Sequence, residues 1–143
     1  MQINWENFSV YNQDARGINY KFEDMCRQLF ALENLAENKH NRYLHGEHNN
    51  PGLETEPIFD EANERWIGFQ AKFFDSKVDY GQIEHSALKT VEKYTGKVEL
   101  VYLFCNKPLK KESLYRTYSI LEAAEIELQL ITDTAILDLV HQY

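Results

Sequence analysis

Trp66-Ile67-Gly68-Phe69-Gln70-Ala71-Lys72-Phe73-Phe74 is the stretch on which the fold turns. It is aromatic and nearly continuous in hydrophobicity, and too short for a core helix, so it reads as a central strand buried on both faces. Two polar residues interrupt it. Gln70 and Lys72 are two apart and therefore share a face. A polar group buried there costs about 1 to 3 kcal/mol unless it finds a partner, so a neighbouring element must supply one. The preceding Leu53 to Phe59 fits a second strand, and the polar turn Asp60 to Glu64 joins the two as a hairpin. Strand alternation places Gly52, Glu54, Glu56 and Ile58 on one face of that second strand, with the glutamates available to Gln70 and Lys72.

Outward from the hairpin, helices and strands alternate. Phe22, Met25, Cys26, Leu29, Leu32 and Ala36 recur at helical spacing, which predicts an amphipathic helix from Asn19 to Asn38. Residues 39 to 52 mix turn formers with one apolar pair and predict a loop with a brief strand around Tyr43 and Leu44. Downstream, Ile83, Ala87, Val91 and Tyr94 predict a helix from Tyr80 to Tyr94 that Thr95-Gly96 ends. Val98 to Cys105 is the clearest buried strand, broken by Asn106-Lys107-Pro108. Glu112 to Ala124 reads as a helix, Glu127 to Ile131 as a short strand, and Asp133 to His141 as a last helix opened by Thr132 or Asp133. A hairpin followed by strand-helix-strand units predicts an α/β fold: a mixed sheet with helices on both faces.

With 143 residues, 43% of them hydrophobic and 27% charged, the chain fits one globular domain, spanning residues 1 to 143. No apolar run approaches the roughly 18 residues of a membrane span, and the N-terminus lacks the pattern of a signal peptide. No membrane partner is expected, and a cytoplasmic location is. Asn7-Phe8-Ser9 is a glycosylation triplet that such a chain leaves unused. Cys26 and Cys105 each lie in an apolar run without a CxxC partner, as buried thiols do. The apolar face of the last helix still runs at Leu137 to Val140, which points to a longer protein.

Fifteen Lys and Arg against 23 Asp and Glu leave a formal net charge of -8, which argues against a nucleic-acid coat protein. It leaves room for an enzyme whose acidic site holds a divalent cation against a phosphate. The charges are segregated. Glu54, Glu56, Asp60, Glu61 and Glu64 fall within eleven residues that hold no basic one, whereas residues 107 to 116 hold Lys107, Lys110, Lys111 and Arg116 against Glu112. His45 and His48 have no second pair at ligand spacing, and His40 and His85 add none, so zinc is not indicated. Phosphate-cradling and nucleophile-elbow motifs are absent from the sequence, which disfavours ATP hydrolysis and acyl transfer.

Metal-assisted phosphodiester hydrolysis needs oxygen ligands for a hard cation and a cationic group beside the attacking water. An acid on one strand, with an oxygen ligand and a lysine at i and i+2 on the next, meets that need. Asn50-Pro51-Gly52-Leu53-Glu54, followed by Gln70-Ala71-Lys72, resembles the PD-(D/E)XK motif in its restriction-endonuclease-like, Mrr-related form. In particular it is similar to the double-stranded DNA endonuclease domains at the N-termini of bacterial anti-phage defence proteins. The likeness extends over residues 22 to 109, through Phe22-Glu23, Tyr80, Gln82-Ile83, Ser86 and the strand from Val98 to Leu109.

The resemblance implies a restriction-endonuclease-like fold and a Mg²⁺-dependent endodeoxyribonuclease, with Mn²⁺ as a substitute cofactor. Glu54 then matches the metal-binding acid, Gln70 the second ligand, Lys72 the catalytic lysine and Glu23 the first-helix acid that completes the site. Gln70 departs from the signature, which has Asp or Glu there, although several Mrr-like members carry glutamine. Glu56 is expected to compensate for the missing charge as a further metal ligand. On a helical wheel Glu33 falls inside the apolar stripe and Glu23 on its flank; the family's Phe-Glu pair selects Glu23.

Gln82, Ser86, Lys89 and Lys93 form one polar helix face, of which Gln82, Ser86 and Lys89 are the expected contacts to double-stranded DNA. Lys107, Lys110 and Lys111 read as a solvated loop. The resemblance further implies the N-terminal part of a longer chain, fused or bound to an NTPase sensor module and active as a homo-oligomer. The reading from a different class is a catalytically silent domain of the same fold that serves in oligomerisation or recognition. A nuclease for RNA or single strands is a third.

Overall fold

The computed structural model describes residues 17–35 and 52–143, with the side chain of Leu35 excluded. The expected Tyr43–Leu44 strand, the end of the first helix at residues 36 to 38, and His40, His45 and His48 lie outside the described residues. The elements are α1 (Gly17–Leu35), β1 (Ile58–Asp60), β2 (Arg65–Lys72), α2 (Tyr80–Tyr94), β3 (Leu100–Cys105), a 3₁₀ turn (Lys111–Leu114), α3 (Tyr115–Ala123), β4 (Glu127–Thr132) and α4 (Asp133–Gln142). The expected Glu112–Ala124 helix thus opens as a 3₁₀ turn. No described helix is long and apolar enough to cross a membrane.

The four strands lie in the order β1-β2-β3-β4, with β1 antiparallel to β2 and the remaining pairs parallel. Odd-numbered residues of β2 and even-numbered residues of β3 face α1 and α4, where Phe22, Cys26, Phe30, Ile67, Phe69, Phe104 and Ile136 form one core layer. The alternate residues face α2 and α3, where Ala87, Tyr94, Val101, Leu103, Leu114 and Leu121 are buried. This is the mixed α/β sheet with helices on both faces that the patterning predicts. Cys26 and Cys105 are fully buried free thiols, one in each layer.

The three parallel strands end flush, with Lys72, Cys105 and Thr132 in register. Beyond that edge Asn106 extends the β2–β3 pairing through its side chain. Its Oδ1 accepts from the Phe74 N–H at 2.8 Å, and its Nδ2 donates to the Phe74 carbonyl at 2.9 Å. The residue that breaks the strand in sequence therefore fixes the exit of β2, just past Lys72.

Leu53 to Phe59 departs from expectation: only Ile58–Asp60 is strand, and residues 52 to 57 are irregular. Three local constraints account for this. Gly52 has φ +81 and is pressed against α2 so closely that a Cβ would sit 2.3 Å from Thr90 Oγ1. Leu53 is fully buried over Gly68, whose missing side chain makes the space. Pro57 has no N–H to give a ladder. The proposed sharing of one face by Gly52, Glu54, Glu56 and Ile58 fails with the strand.

Asn106→Ala leaves the N–H and carbonyl of Phe74 buried without partners, and we expect it to lower unfolding stability by about 2 to 4 kcal/mol in a urea titration. A loss below about 0.5 kcal/mol would show that solvent reaches the Phe74 backbone.

Candidate active site

Glu54 is held to β2 on either side of Gln70. Its N–H donates to the Phe69 carbonyl at 2.9 Å, and its Oε2 accepts from the Ala71 N–H at 2.6 Å. The β1–β2 register, continued from Ile58 opposite Ile67, would place Glu56 opposite Phe69, so the chain gains two residues between Glu54 and β1. A carboxylate thereby takes the ladder position that a strand carbonyl would otherwise fill.

From the α1 side, Arg27 Nη2 donates to the Glu54 carbonyl at 2.5 Å, and Nη1 lies 3.8 Å from Glu23 and 3.7 Å from Asp24. The guanidinium also stands over the Phe69 ring, 5.8 Å from its centroid. Glu23 is buried, whereas Glu33 is exposed and accepts from the Tyr143 hydroxyl at 3.1 Å. The helical-wheel placement of Glu33 inside the apolar stripe is thus corrected. The buried stripe runs through Phe22, Cys26, Leu29 and Phe30, and Glu33 emerges past it beside α4.

These groups set the electrostatics of Glu54. Burial first, and then the nearby Glu23, push its carboxyl up from 4.5 to about 8, against the opposing pull of the Ala71 N–H, Lys72 and Arg27. Two carboxyls compete for charge in one place, as they do where a cation is to be received. Lys72 shares the neighbourhood, yet its ammonium makes no hydrogen bond or ion pair among the described residues. The simple alternative of a structural Glu54–Lys72 ion pair is therefore not formed.

Gln70 is buried on the other face of β2, and its Nε2 donates to Thr90 Oγ1 at 3.0 Å. The Thr90 hydroxyl in turn donates to the Ser86 carbonyl at 2.8 Å. With the amide nitrogen committed to α2, the Gln70 oxygen is the group left to act as a ligand. Thr90, not Val91, completes the buried stripe of α2 with Ile83, Ala87 and Tyr94.

Glu56 is not brought to Glu54. It is exposed, 3.7 Å from Lys93 Nζ and 3.5 Å from the Tyr94 hydroxyl. Among the expected DNA contacts, Gln82 is exposed in the first turn of α2, Ser86 is half-buried, and Lys89 lies 3.9 Å from Glu92. Two participants escaped the sequence reading, Arg27 and Thr90. Arg27 sits four residues after Glu23, a spacing that pairs opposite charges on a helix, and Thr90 is the one polar residue in an apolar stripe.

Among the described residues no three His, Cys, Asp or Glu side chains form a ready metal cluster. Magnesium does not need one, since it is commonly held by one or two carboxylates, waters and the substrate's own phosphate. Glu23 and Glu54 fit that donor chemistry on the α1 side, whereas the Gln70 amide is turned to α2 and no contact joins it to either carboxyl among the described residues. Comparison with known proteins finds no matching family model and no matching curated sequence.

The folded value of Glu54 lies above the ordinary one, so the folded chain binds the extra proton. The associated stability is fully present below pH 4.5 and lost as pH rises through about 8. In metal-free buffer the unfolding free energy should fall across this window with a slope of at most about 1.4 kcal/mol per pH unit, and Glu54→Gln should flatten it. Parallel urea-derived profiles for the two proteins would contradict this.

Proposed function

We propose that this chain is a metal-dependent endonuclease domain of the PD-(D/E)XK, restriction-endonuclease-like kind that hydrolyses phosphodiester bonds in double-stranded DNA. The observation that carries this reading is the free ammonium of Lys72, two residues after Gln70 and close enough to Glu54 to act on its charge. Without a salt bridge, that ammonium is available to a substrate phosphate or to the attacking water.

In this reading Glu54, Glu23 and the Gln70 oxygen hold Mg²⁺, or Mn²⁺ in its place. A cation held there would supply polarisation of the phosphate and a lowered water pKa. Lys72 orients the attacking oxygen and offsets the negative charge that grows on the phosphoryl group as the ester bond breaks. Arg27 fixes the Glu54 backbone and limits the repulsion between the two carboxyls. Thr90 keeps the Gln70 amide turned so that its oxygen is free. Glu56 is bound to the end of α2 and takes no part. Gln82 and Ser86, at the start of α2, are placed to meet the DNA backbone, whereas Lys89 is already paired.

We further propose that the domain is the effector of an anti-phage defence protein, joined to an NTPase sensor whose self-association restrains and releases it. A neutral Gln70 and a Glu54 carboxyl pushed up by burial and by Glu23 together suit a site that is weak until substrate phosphate completes it.

Lys72→Ala should reduce nicking of supercoiled plasmid in Mg²⁺ by at least about 100-fold while moving the melting temperature by less than about 2 °C. Lys72→Arg should fail as well, because a planar guanidinium does not replace a point charge. A mutant that nicks like the parent would remove Lys72 from the mechanism. A parent that leaves plasmid intact in Mg²⁺ and Mn²⁺, even when assembled, would favour the silent module.

A further inference from the structure

The net charge of -8 is unevenly placed on the fold. Asp60 at the end of β1, Glu61 and Glu64 in the turn after it, Glu99 before β3, Glu125 before β4 and Glu127 at its start all lie where the parallel strands begin. Of the basic groups near them, Arg65 lies 3.9 Å from Asp60 and 3.7 Å from Glu127, whereas Lys97 stands exposed without an ion pair among the described residues. On α2, Lys89 and Lys93 are likewise paired with Glu92 and Glu56.

The opposite edge, where Lys72 and Cys105 end in register, is followed by Lys107, Lys110, Lys111 and Arg116, with Asp75, Glu112 and Asp133 as acids at the same edge. None of the four basic residues makes an ion pair among the described residues, in a chain that has acids to spare. Their loop is also held in place. Asn106 bonds twice to Phe74, the Lys110 N–H donates to the Tyr80 hydroxyl at 3.0 Å, the Ser113 N–H donates to the Lys110 carbonyl at 3.0 Å, and Leu114 is fully buried. Four unneutralised cations are thus mounted on a fixed frame at the edge that carries Lys72.

We infer that the segment from Lys107 to Arg116, rather than the α2 face bearing Lys89, is the principal contact for the DNA backbone. This rests on the nuclease reading for its choice of polyanion, and it reverses the reading of this segment as a solvated loop. Ligands of open parallel sheets meet the carboxyl ends of the strands, which is where this segment stands. The acidic far end repels a phosphate chain, so the charge separation turns approaching DNA toward the basic edge. Each protein group that neutralises a phosphate releases counterions, which makes its contribution measurable through salt.

The test is fluorescence anisotropy on a labelled duplex of about 30 base pairs, with Ca²⁺ replacing Mg²⁺ to prevent cleavage and salt varied. Lys110→Glu/Lys111→Glu/Arg116→Glu should weaken binding at least about 10-fold and make log K against log salt shallower by about 0.9 for each phosphate no longer neutralised. Lys97→Glu, at the far end, should change affinity by less than about twofold. All three mutated residues are exposed; Lys110→Gln/Lys111→Gln is the milder variant should the reversal impair folding, with a smaller fall in affinity in the same direction. A parent that binds duplex while both variants bind equally well would overturn this inference and leave the nuclease reading standing. A parent that binds no duplex would overturn both.

Discussion

The double attachment of Glu54 to β2 is the constraint on which the candidate site depends. One residue gives its N–H to Phe69 and takes the N–H of Ala71 with its carboxyl, so the side chain cannot leave β2 without stranding the Ala71 N–H. That geometry is available because Gly52 approaches Thr90 more closely than any Cβ allows, and because Gly68 leaves room for Leu53. The glycines thus have a mechanical purpose. They bring an irregular segment down onto a strand and both neighbouring helices, and its carboxyl arrives with a fixed direction.

Electrostatic tension follows from that placement. Glu23 comes from α1 on one face of the sheet, Gln70 turns to α2 on the other, and Glu54 sits on the β2 edge between them. Arg27 offsets part of the repulsion, yet the Glu54 carboxyl is still pushed to about 8. A group held above neutrality by burial and a like charge must release its proton to bind a cation, so cation binding at Glu54 is coupled to proton release and weakens as pH falls. Lys72 keeps its ammonium uncommitted beside this pair, and Asn106 fixes the backbone just beyond it.

Much of the architecture was legible in the sequence because burial follows periodicity. The apolar runs at β2 and β3 and the stripes of α1 and α2 were readable, and so was the helix-on-both-faces layering that their order implies. Leu53 to Pro57 misled for a physical reason. Its alternation is that of a strand, but the close approach of Gly52 to Thr90 is a tertiary fact that no local pattern carries. The same limit applies to Glu56, whose even spacing from Glu54 meant a shared face only if the strand existed. Glu23 was selected by its place in a motif against the helical wheel, and it lies buried beside Arg27. The roles of Thr90 and Asn106 became readable only once the sheet was assembled, since each acts on backbone or side-chain groups distant in sequence.

The most direct measurement is anomalous diffraction from Mn²⁺ in crystals of the Lys72→Ala chain with a DNA duplex. A metal site built on Glu54 and Gln70 predicts a peak at direct coordination distance, about 2.0 to 2.2 Å, from the Glu54 carboxylate and the Gln70 oxygen, with a DNA phosphate completing the shell and Glu23 bound directly or through water. DNA seated on the protein with no metal between Glu54 and the phosphate would contradict it.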